Sequence, residues 1–415
     1  MNTCRQPIET ATKKWRRAFA AGFVGLEPVP KPGCGRKLHL KTRVLLSQQR
    51  VLGLLLILCA VLGKTIAAAE PQSTGHTLNL NILSTQQWKQ IDAAVDEGLD
   101  FIVGNQRRDG SFAAPRAAQP GVTSLCVMAF LSRGHLPGQG PYGDQIERAI
   151  QYTLSTQDSN GLLSHPGSRP NYNHAITGLM LGEVYGMTSD RQNERIRIAI
   201  REALRFSRQR QTRRKRHPRD KGGWRYLKPY GPNDSDLTAT SWQLMFYRSA
   251  KNAEFDVPPE YIDEAMGYVR RCFDRNEQAF MYALAHDEEH YASGGTVGGG
   301  IVALEMGGEH HSEMAKAGAK WILSHPFDRY NVRRHSDDRY HYSAFYCSQA
   351  MFHLGGENWE KFYPPLQSTL LANQRRDGSW DRERVHDSGV GNTYTTALVV
   401  LTLTPPYQIL PIYQR

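Results

Sequence analysis

Four short stretches hold residue types that could do chemistry. His286-Asp287-Glu288-Glu289-His290 has the H-x-x-E-H spacing of an inverted zinc-peptidase signature. That motif needs a helix presenting both imidazoles on one face and a third ligand from elsewhere. Here it stands just before a glycine-rich helix start, near His310-His311, so a solvated charged loop is the reading and no metal is expected. The stretch from Arg208 to Lys221 carries eight basic residues. It reads as an exposed insertion, with docking to an anionic membrane or acidic polysaccharide as its functional alternative. It lacks interleaved aromatics for base stacking, which argues against nucleic acid. From Gly294 to Gly300 there are five glycines with no Lys-Ser/Thr after them, so close helix packing is expected rather than a phosphate cradle. Asp234 and Asp236, followed by Thr238 and Thr240, stand where an N-cap would start a helix.

The elements that position these residues come from a repeat. Asn105-Gln106-Arg107-Arg108-Asp109-Gly110-Ser111 returns letter for letter as Asn373-Gln374-Arg375-Arg376-Asp377-Gly378-Ser379, followed by Phe112 and Trp380. Degenerate copies lie between, at Gln157 with Gly161, and at Gln211 with Gly222-Gly223-Trp224 beyond the basic insertion. Phe101, Tyr152 and Phe206 each stand five residues before a marker Gln, and Tyr268-Val269 and Trp321-Ile322 are copies that have lost it. A charged helical segment precedes each marker, over roughly 87–105, 143–157, 191–209, 259–273, 312–324 and 357–373. A more apolar helix follows each, over roughly 121–133, 172–186, 236–250, 293–306, 341–354 and 392–403. No stretch alternates like a strand. A marker glycine at positive φ would reverse the chain, and the glutamine amide would bond helix-end groups. Six helical hairpins can close into a ring whose inner helices are apolar all round, facing the outer helices on one side and a central cavity on the other.

The chain has 415 residues, 40% hydrophobic and 22% charged, enough for a sizeable core and incompatible with disorder or a coiled coil. Its net charge of +11 sits at one end: residues 1–69 hold twelve Lys/Arg against Glu9 and Glu27, leaving the rest nearly neutral. No general polyanion-binding surface follows. Residues 1–69 read as a leader, with a basic region over 36–50, an apolar run over 51–63 and small residues at Ala67-Ala68-Ala69. Cleavage is expected near 69/70, with export to the periplasm or outside the cell. An uncleaved N-terminal anchor is the alternative. A linker over 70–85 would lead into the helical domain at 86–415. Cys126, Cys272 and Cys347 remain beyond the leader, an odd number at wide spacing that suits core packing and leaves room for one pair at most.

Phe101-Ile102-x3-Gln106-x3-Gly110-x-Phe112 closely resembles the QW repeat of the terpenoid cyclase/protein prenyltransferase superfamily, and Gln374-x3-Gly378-x-Trp380 resembles its core. The resemblance spans 86–404 and implies an all-α fold, an (α/α)6 toroid. Asp234-Ser235-Asp236-Leu237-Thr238-Ala239 is similar to the DxDDTA motif of squalene–hopene cyclases, whose middle Asp protonates a terminal alkene. By position that acid is Asp236, with Asp234 and Thr238 beside it. Leu237 replaces the neighbouring Asp, and only one toroid is present where triterpene cyclases carry a second α-barrel. Such chemistry needs a buried, protonated carboxyl facing an aromatic, cation-stabilising cavity. Tyr172, Trp242, Phe246, Phe345, Tyr346 and Tyr394 could supply the wall, with Tyr291, Tyr340, His341 and Tyr342 at its mouth; aromatics at helical spacing serve equally as core. The zinc-dependent prenyltransferase branch fits less well: His341 has a counterpart there, but Ser293-Gly294-Gly295-Thr296 stands where its Asp-x-Cys would be.

Two functions are therefore expected from different classes. One is an exported cyclase-like protein holding an apolar or isoprenoid-like small molecule, with Asp236 as general acid and no cofactor. The other is a non-catalytic binding or scaffold protein on the same ring. Asp236 buried toward an aromatic cavity would favour the first, and Asp236 capping a helix at the solvent edge would favour the second.

Overall fold

The computed structural model describes residues 82–165, 169–285, 288–332, 339–384 and 387–414. The leader expected over 1–69, His286 and Asp287 lie outside them.

Twelve α-helices are found among the described residues. Six are outer: α1 (Thr85–Gly104), α3 (Gly143–Ser155), α5 (Asp190–Thr212), α7 (Pro259–Arg271), α9 (Glu313–Ser324) and α11 (Gly356–Ala372). Six are inner: α2 (Gly121–Ser132), α4 (Pro170–Val184), α6 (Leu237–Asn252), α8 (Gly294–Met306), α10 (Tyr340–Leu354) and α12 (Asn392–Leu403). Each lies within about three residues of its expected segment. The outer helices bury one stripe: α3, for example, buries Ile146, Ala149, Ile150 and Thr153 and leaves its polar face in water. Every residue of α2 and of α8 is buried, as an inner helix requires. The inner helices pack in order, α2 on α4, α4 on α6, α6 on α8, α8 on α10 and α10 on α12, and α12 packs back on α2. That last contact closes the ring and confirms the toroid.

The markers are the joints. Glutamine side chains 106, 157, 211 and 374 each donate to the carbonyl of their own marker glycine, at 3.0–3.2 Å. Each also donates to a carbonyl within the next outer helix round the ring: Gln145 at 2.8 Å, Ala199 at 2.9 Å, Tyr261 at 2.7 Å and Ala94 at 2.8 Å. Gly110, Gly161, Gly222 and Gly378 hold φ between 81° and 91°, and a methyl on any of them would press into a carbonyl three residues further along that same outer helix. The amide thus stitches neighbouring hairpins together, a longer reach than the helix-end bond expected from sequence. The basic insertion leaves this joint intact at Gln211 and Gly222.

One detail departs from expectation. A two-residue hairpin pairs Phe273 with Phe280 and Asp274 with Ala279, where a marker copy has degenerated. Cys126, Cys272 and Cys347 are all buried and form no disulfide with one another, as core residues would. The glycines of α8 do serve packing: a Cβ on Gly298 would lie 2.7 Å from the backbone of α10. At the C-terminal ends of the inner helices the segment 405–414 crosses the ring, burying Leu410, Ile412 and Tyr413. Ile412 N–H donates to Glu183 at 3.2 Å, and Tyr413 packs its ring against Phe345 and His353. Among the described residues no helix is long and apolar enough to cross a membrane.

Candidate functional site

The opposite end of the ring is open. A cavity of about 580 Å3 is lined by the first two turns of all six inner helices, through Gly121, Val122 and Leu125, Tyr172 and Ile176, Thr238 and Trp242, Gly295 and Thr296, Tyr342, and Tyr394 and Leu398. The loops before those helices add Arg169, Tyr226, Tyr230, Tyr282, Glu288, Glu289, Tyr291, Arg339 and Asp387. The helix turns give it an aromatic and aliphatic floor, and the loops give it a charged rim.

Asp236 has no exposed surface. It is the N-cap of α6, so the capping reading and the buried-acid reading describe the same side chain. Its Oδ1 accepts from Ala239 N–H at 2.7 Å, from the Thr238 hydroxyl at 3.0 Å and from the Tyr172 phenol at 3.1 Å. Among the described residues its Oδ2 has no hydrogen-bond partner. Burial raises its pKa above the ordinary carboxylate value, against the Arg225 charge and the hydrogen bonds from Ala239, Thr238 and Tyr172. With Oδ1 saturated as an acceptor, Oδ2 is the atom left to carry the proton. Asp236 does not itself line the cavity; Tyr172 and Thr238 do, and their hydroxyls stand 2.7 Å apart in front of it.

Asp234, two residues earlier, lives in the opposite environment. It accepts from the Arg216 backbone at 2.6 Å and from Arg216 Nε at 2.8 Å. Partial burial pushes its pKa up, but the Arg216 contacts outweigh it and hold the carboxyl below its usual value. Asp234 is therefore an anion in a loop and no proton donor.

Of the expected wall residues, Tyr172, Trp242, Tyr291 and Tyr394 line the cavity. Phe246, Phe345 and Tyr346 do not. Phe246 packs edge-on to His174 and faces Gly178 of α4, while Phe345 stacks on Trp242 with ring centres 5.6 Å apart and Tyr346 meets the same indole edge-on. An inner helix buries all its faces, so its sequence does not distinguish a ring facing the hub from one facing the next helix. Tyr342 lines the cavity and accepts from Trp242 Nε1 at 3.1 Å. Tyr340 and His341 turn away: His341 meets Tyr330 at 3.1 Å and Glu383 at 3.3 Å.

The sequence reading missed the ionic rim. Asp387 pairs with Arg169 and, at 2.9 Å, with Arg339. Arg225 pairs with Glu289, whose other oxygen accepts from Asn233 at 2.8 Å. Tyr226, Tyr230 and Tyr282 gather round the Arg225 guanidinium at 5.1–5.8 Å from ring centre to charge. The only signal in the sequence was position, since each of these residues falls between a marker and the inner helix after it. His290 places one nitrogen 3.0 Å from the Ala283 carbonyl and the other 3.5 Å from Asp274, and no group of three or more possible metal ligands exists among the described residues.

No known family profile and no curated protein sequence matches the chain. Solved structures do. A type II terpene cyclase from Scytonema, MstE, seen with its substrate geranylgeranyl dihydroxybenzoate and with its product merosterolic acid A, is 14% identical at a TM-score of 0.51, over 79% of this chain and 100% of that one. An α-1,6-mannanase of Salegentibacter sp. HEL1_6, in complex with α-1,6-mannotetrose, is 9% identical at 0.57, over 77% and 99%. A protein from Actinoplanes is 16% identical at 0.51, over 75% and 98%. At these identities the likeness is one of fold, a terpenoid cyclase-like toroid that also carries sugar-cleaving enzymes.

Proposed function

We propose that the protein is a terpenoid cyclase-like enzyme in which Asp236 protonates an isoprenoid-like ligand held in the central cavity. The observation that carries this is the burial of Asp236 behind an aromatic wall, with one oxygen saturated by donors and the other unpartnered. Hydrogen bonds to Oδ1 stabilise the carboxylate left when the proton departs, and low-dielectric surroundings keep the proton on Oδ2 until then. Tyr172 and Thr238 stand between that acid and the cavity and contact Oδ1, so the carboxyl proton moves to Oδ1 before it passes: one hydroxyl gives its own proton to the ligand as it takes that of Asp236, which is left as the carboxylate. Protonating an alkene creates a carbocation, and the faces of Trp242, Tyr342, Tyr394 and Tyr291 are suited to hold one in the absence of a nucleophile. The charged rim suits a ligand that is polar at one end. On this reading the leader exports the enzyme, and the ligand comes from a membrane or the space beyond it.

A second reading has a specific observation behind it. Arg169, Arg339, Asp387, Glu288 and Glu289 offer many hydrogen-bonding groups at the mouth, as an oligosaccharide site would. A third keeps the cavity and the ligand without the chemistry.

One experiment separates them. The protein is incubated in D2O with geranylgeranyl dihydroxybenzoate and related polyprenoids, and the products are read by mass spectrometry. A cyclised isomer carrying one solvent deuterium, absent with Asp236→Asn, is the expected result. Tight polyprenoid binding without conversion would make the protein a binder. Binding of mannooligosaccharides and of no polyprenoid would move it to the sugar-binding class.

A further inference from the structure

Beside the cavity, on the outer side of Tyr226 and Tyr230, lies a second pocket of about 110 Å3 that the proposed reaction does not use. The basic insertion after α5 folds over it. Arg210, Arg213, Arg214, Lys215, Arg216, Arg225 and Lys228 line it, against a single carboxylate, Asp234. Arg216 engages that carboxylate, and Arg225 has Glu289. Among the described residues Arg210, Arg213, Arg214, Lys215 and Lys228 have no carboxylate within ion-pair distance. Five cations so close together repel one another unless a counter-charge joins them.

Crowding of charge alone would describe a solvated surface. The pocket floor shows more. Arg225 is 3% exposed, yet among the described residues its Nε and Nη1 have no hydrogen-bond partner. Arg210 donates through Nη2 to the Leu227 carbonyl at 3.1 Å and leaves its buried Nε unpartnered too. Buried guanidinium N–H groups are rarely left without a hydrogen-bond acceptor, and the ring faces round Arg225 attract its charge without supplying one. Lys215 points inward, donating to the Gly223 carbonyl at 2.6 Å, and burial pulls its ammonium down to about 8, a cost that an anion beside it would remove.

We infer that this pocket is a phosphate-binding site, in which Arg225 and Arg210 hold the oxyanion from below and Arg213, Arg214 and Lys215 close over it. Guanidinium forks match phosphate oxygens in geometry as well as charge, and a phosphomonoester dianion would neutralise two of the surplus cations. The phosphate can belong to a soluble phosphoester or to a lipid headgroup at a membrane surface; the chemistry recognised is the same. The inference is independent of the reaction at Asp236.

Titration calorimetry of the full chain with inorganic phosphate, at about 0.15 M salt, tests it. Saturable one-to-one binding is expected, weakened roughly tenfold or more by R213Q/R214Q and by R225Q. Arg213 and Arg214 are exposed and their side chains make no hydrogen bond among the described residues, so the double variant keeps its structure, checked by circular dichroism. No binding by the folded wild type, or binding unchanged in R213Q/R214Q, overturns the site. Flotation with phosphatidic acid vesicles, and with phosphatidylcholine vesicles as control, assigns the source. Capture by the former that free phosphate reverses makes it a lipid headgroup, and no capture makes it a soluble phosphoester. Capture that free phosphate does not reverse overturns the pocket in favour of a flat basic face. None of these readouts involves turnover, so their failure leaves the cyclase proposal standing.

Discussion

Gln374 donates its side-chain amide to the carbonyl of Ala94 at 2.8 Å, across 280 positions of sequence. The last marker thereby grips the first outer helix, as each earlier marker of this kind grips its successor. A ring built this way depends on the glycine four residues after the glutamine as much as on the amide itself.

Gly378→Ala should show this. Gly378 sits at φ 81°, and a methyl there would drive into the Glu97 carbonyl. A left-handed alanine costs about 1–2 kcal/mol before any collision. The expected loss is therefore above about 2 kcal/mol, read as the shift of the urea midpoint multiplied by the slope. Gly140→Ala is the control, since Gly140 is at φ 68° with nothing within 4 Å of the added carbon. It should lose only the conformational part, and equal losses for both would mean that the joint contributes nothing.

Asp236 and Asp234 should separate cleanly. Asparagine caps a helix as well as aspartate does, so Asp236→Asn keeps α6 and removes the proton. Turnover should fall roughly 100-fold or more, the usual contribution of a positioned general acid. Asp234→Asn loses the Arg216 pairing, which is solvent-accessible on the arginine side, and should leave turnover within about twofold and stability within about 1 kcal/mol. Equal loss of activity in the two variants would remove the distinction drawn from their surroundings.

The ring was legible in the sequence because its joints are made from residues with few substitutes. Gln106, Gly110 and their copies recur since a positive φ and a reach to the next hairpin admit little else. The periodicity of the charged helices followed from their one buried stripe. Asp236 was singled out for a similar reason, since its neighbours carry a pattern. The wall was harder. Phe345 and Tyr346 are as apolar as Tyr342, and only packing reveals that the first two support Trp242 from behind. The rim was legible only as a position along the chain. Arg225, Glu289 and Asp387 are ordinary charged residues in loops, and their partners are set by which hairpins the ring brings together.

Tyr172 and Thr238 carry the next prediction. If the proton passes through the phenol, Tyr172→Phe removes the relay and keeps the ring that contacts the ligand. The turnover number should drop about tenfold or more while ligand affinity stays within about twofold. Thr238→Val removes one of three donors to Oδ1 and should have a smaller effect, about threefold, because Ala239 N–H and Tyr172 remain. A rise in KM with unchanged kcat in Tyr172→Phe would make the phenol a binding group instead.

Glu183 is buried at the closed end of the ring. Ser249 donates to one of its oxygens at 2.6 Å and Ile412 N–H to the other at 3.2 Å, so it ties the C-terminal segment to α4 and α6. Burial lifts its pKa from 4.5 to about 7, with those two hydrogen bonds pulling the other way. The sign of the pH effect follows directly. The folded chain holds this proton more tightly than the unfolded chain does, so the stabilisation is complete below about pH 4.5. It drains away as pH rises and is gone once the group ionises near pH 7. The span is on the order of 3 kcal/mol. Glu183→Gln keeps the shape and one acceptor and removes the titration. The difference between wild-type and variant unfolding free energies, measured from about pH 5 to pH 8, should therefore change by an amount of that order, with the variant gaining relative to wild type as pH rises. A constant difference across that range would mean that Glu183 stays in one protonation state, and that the tie between the last segment and the ring does not respond to acid.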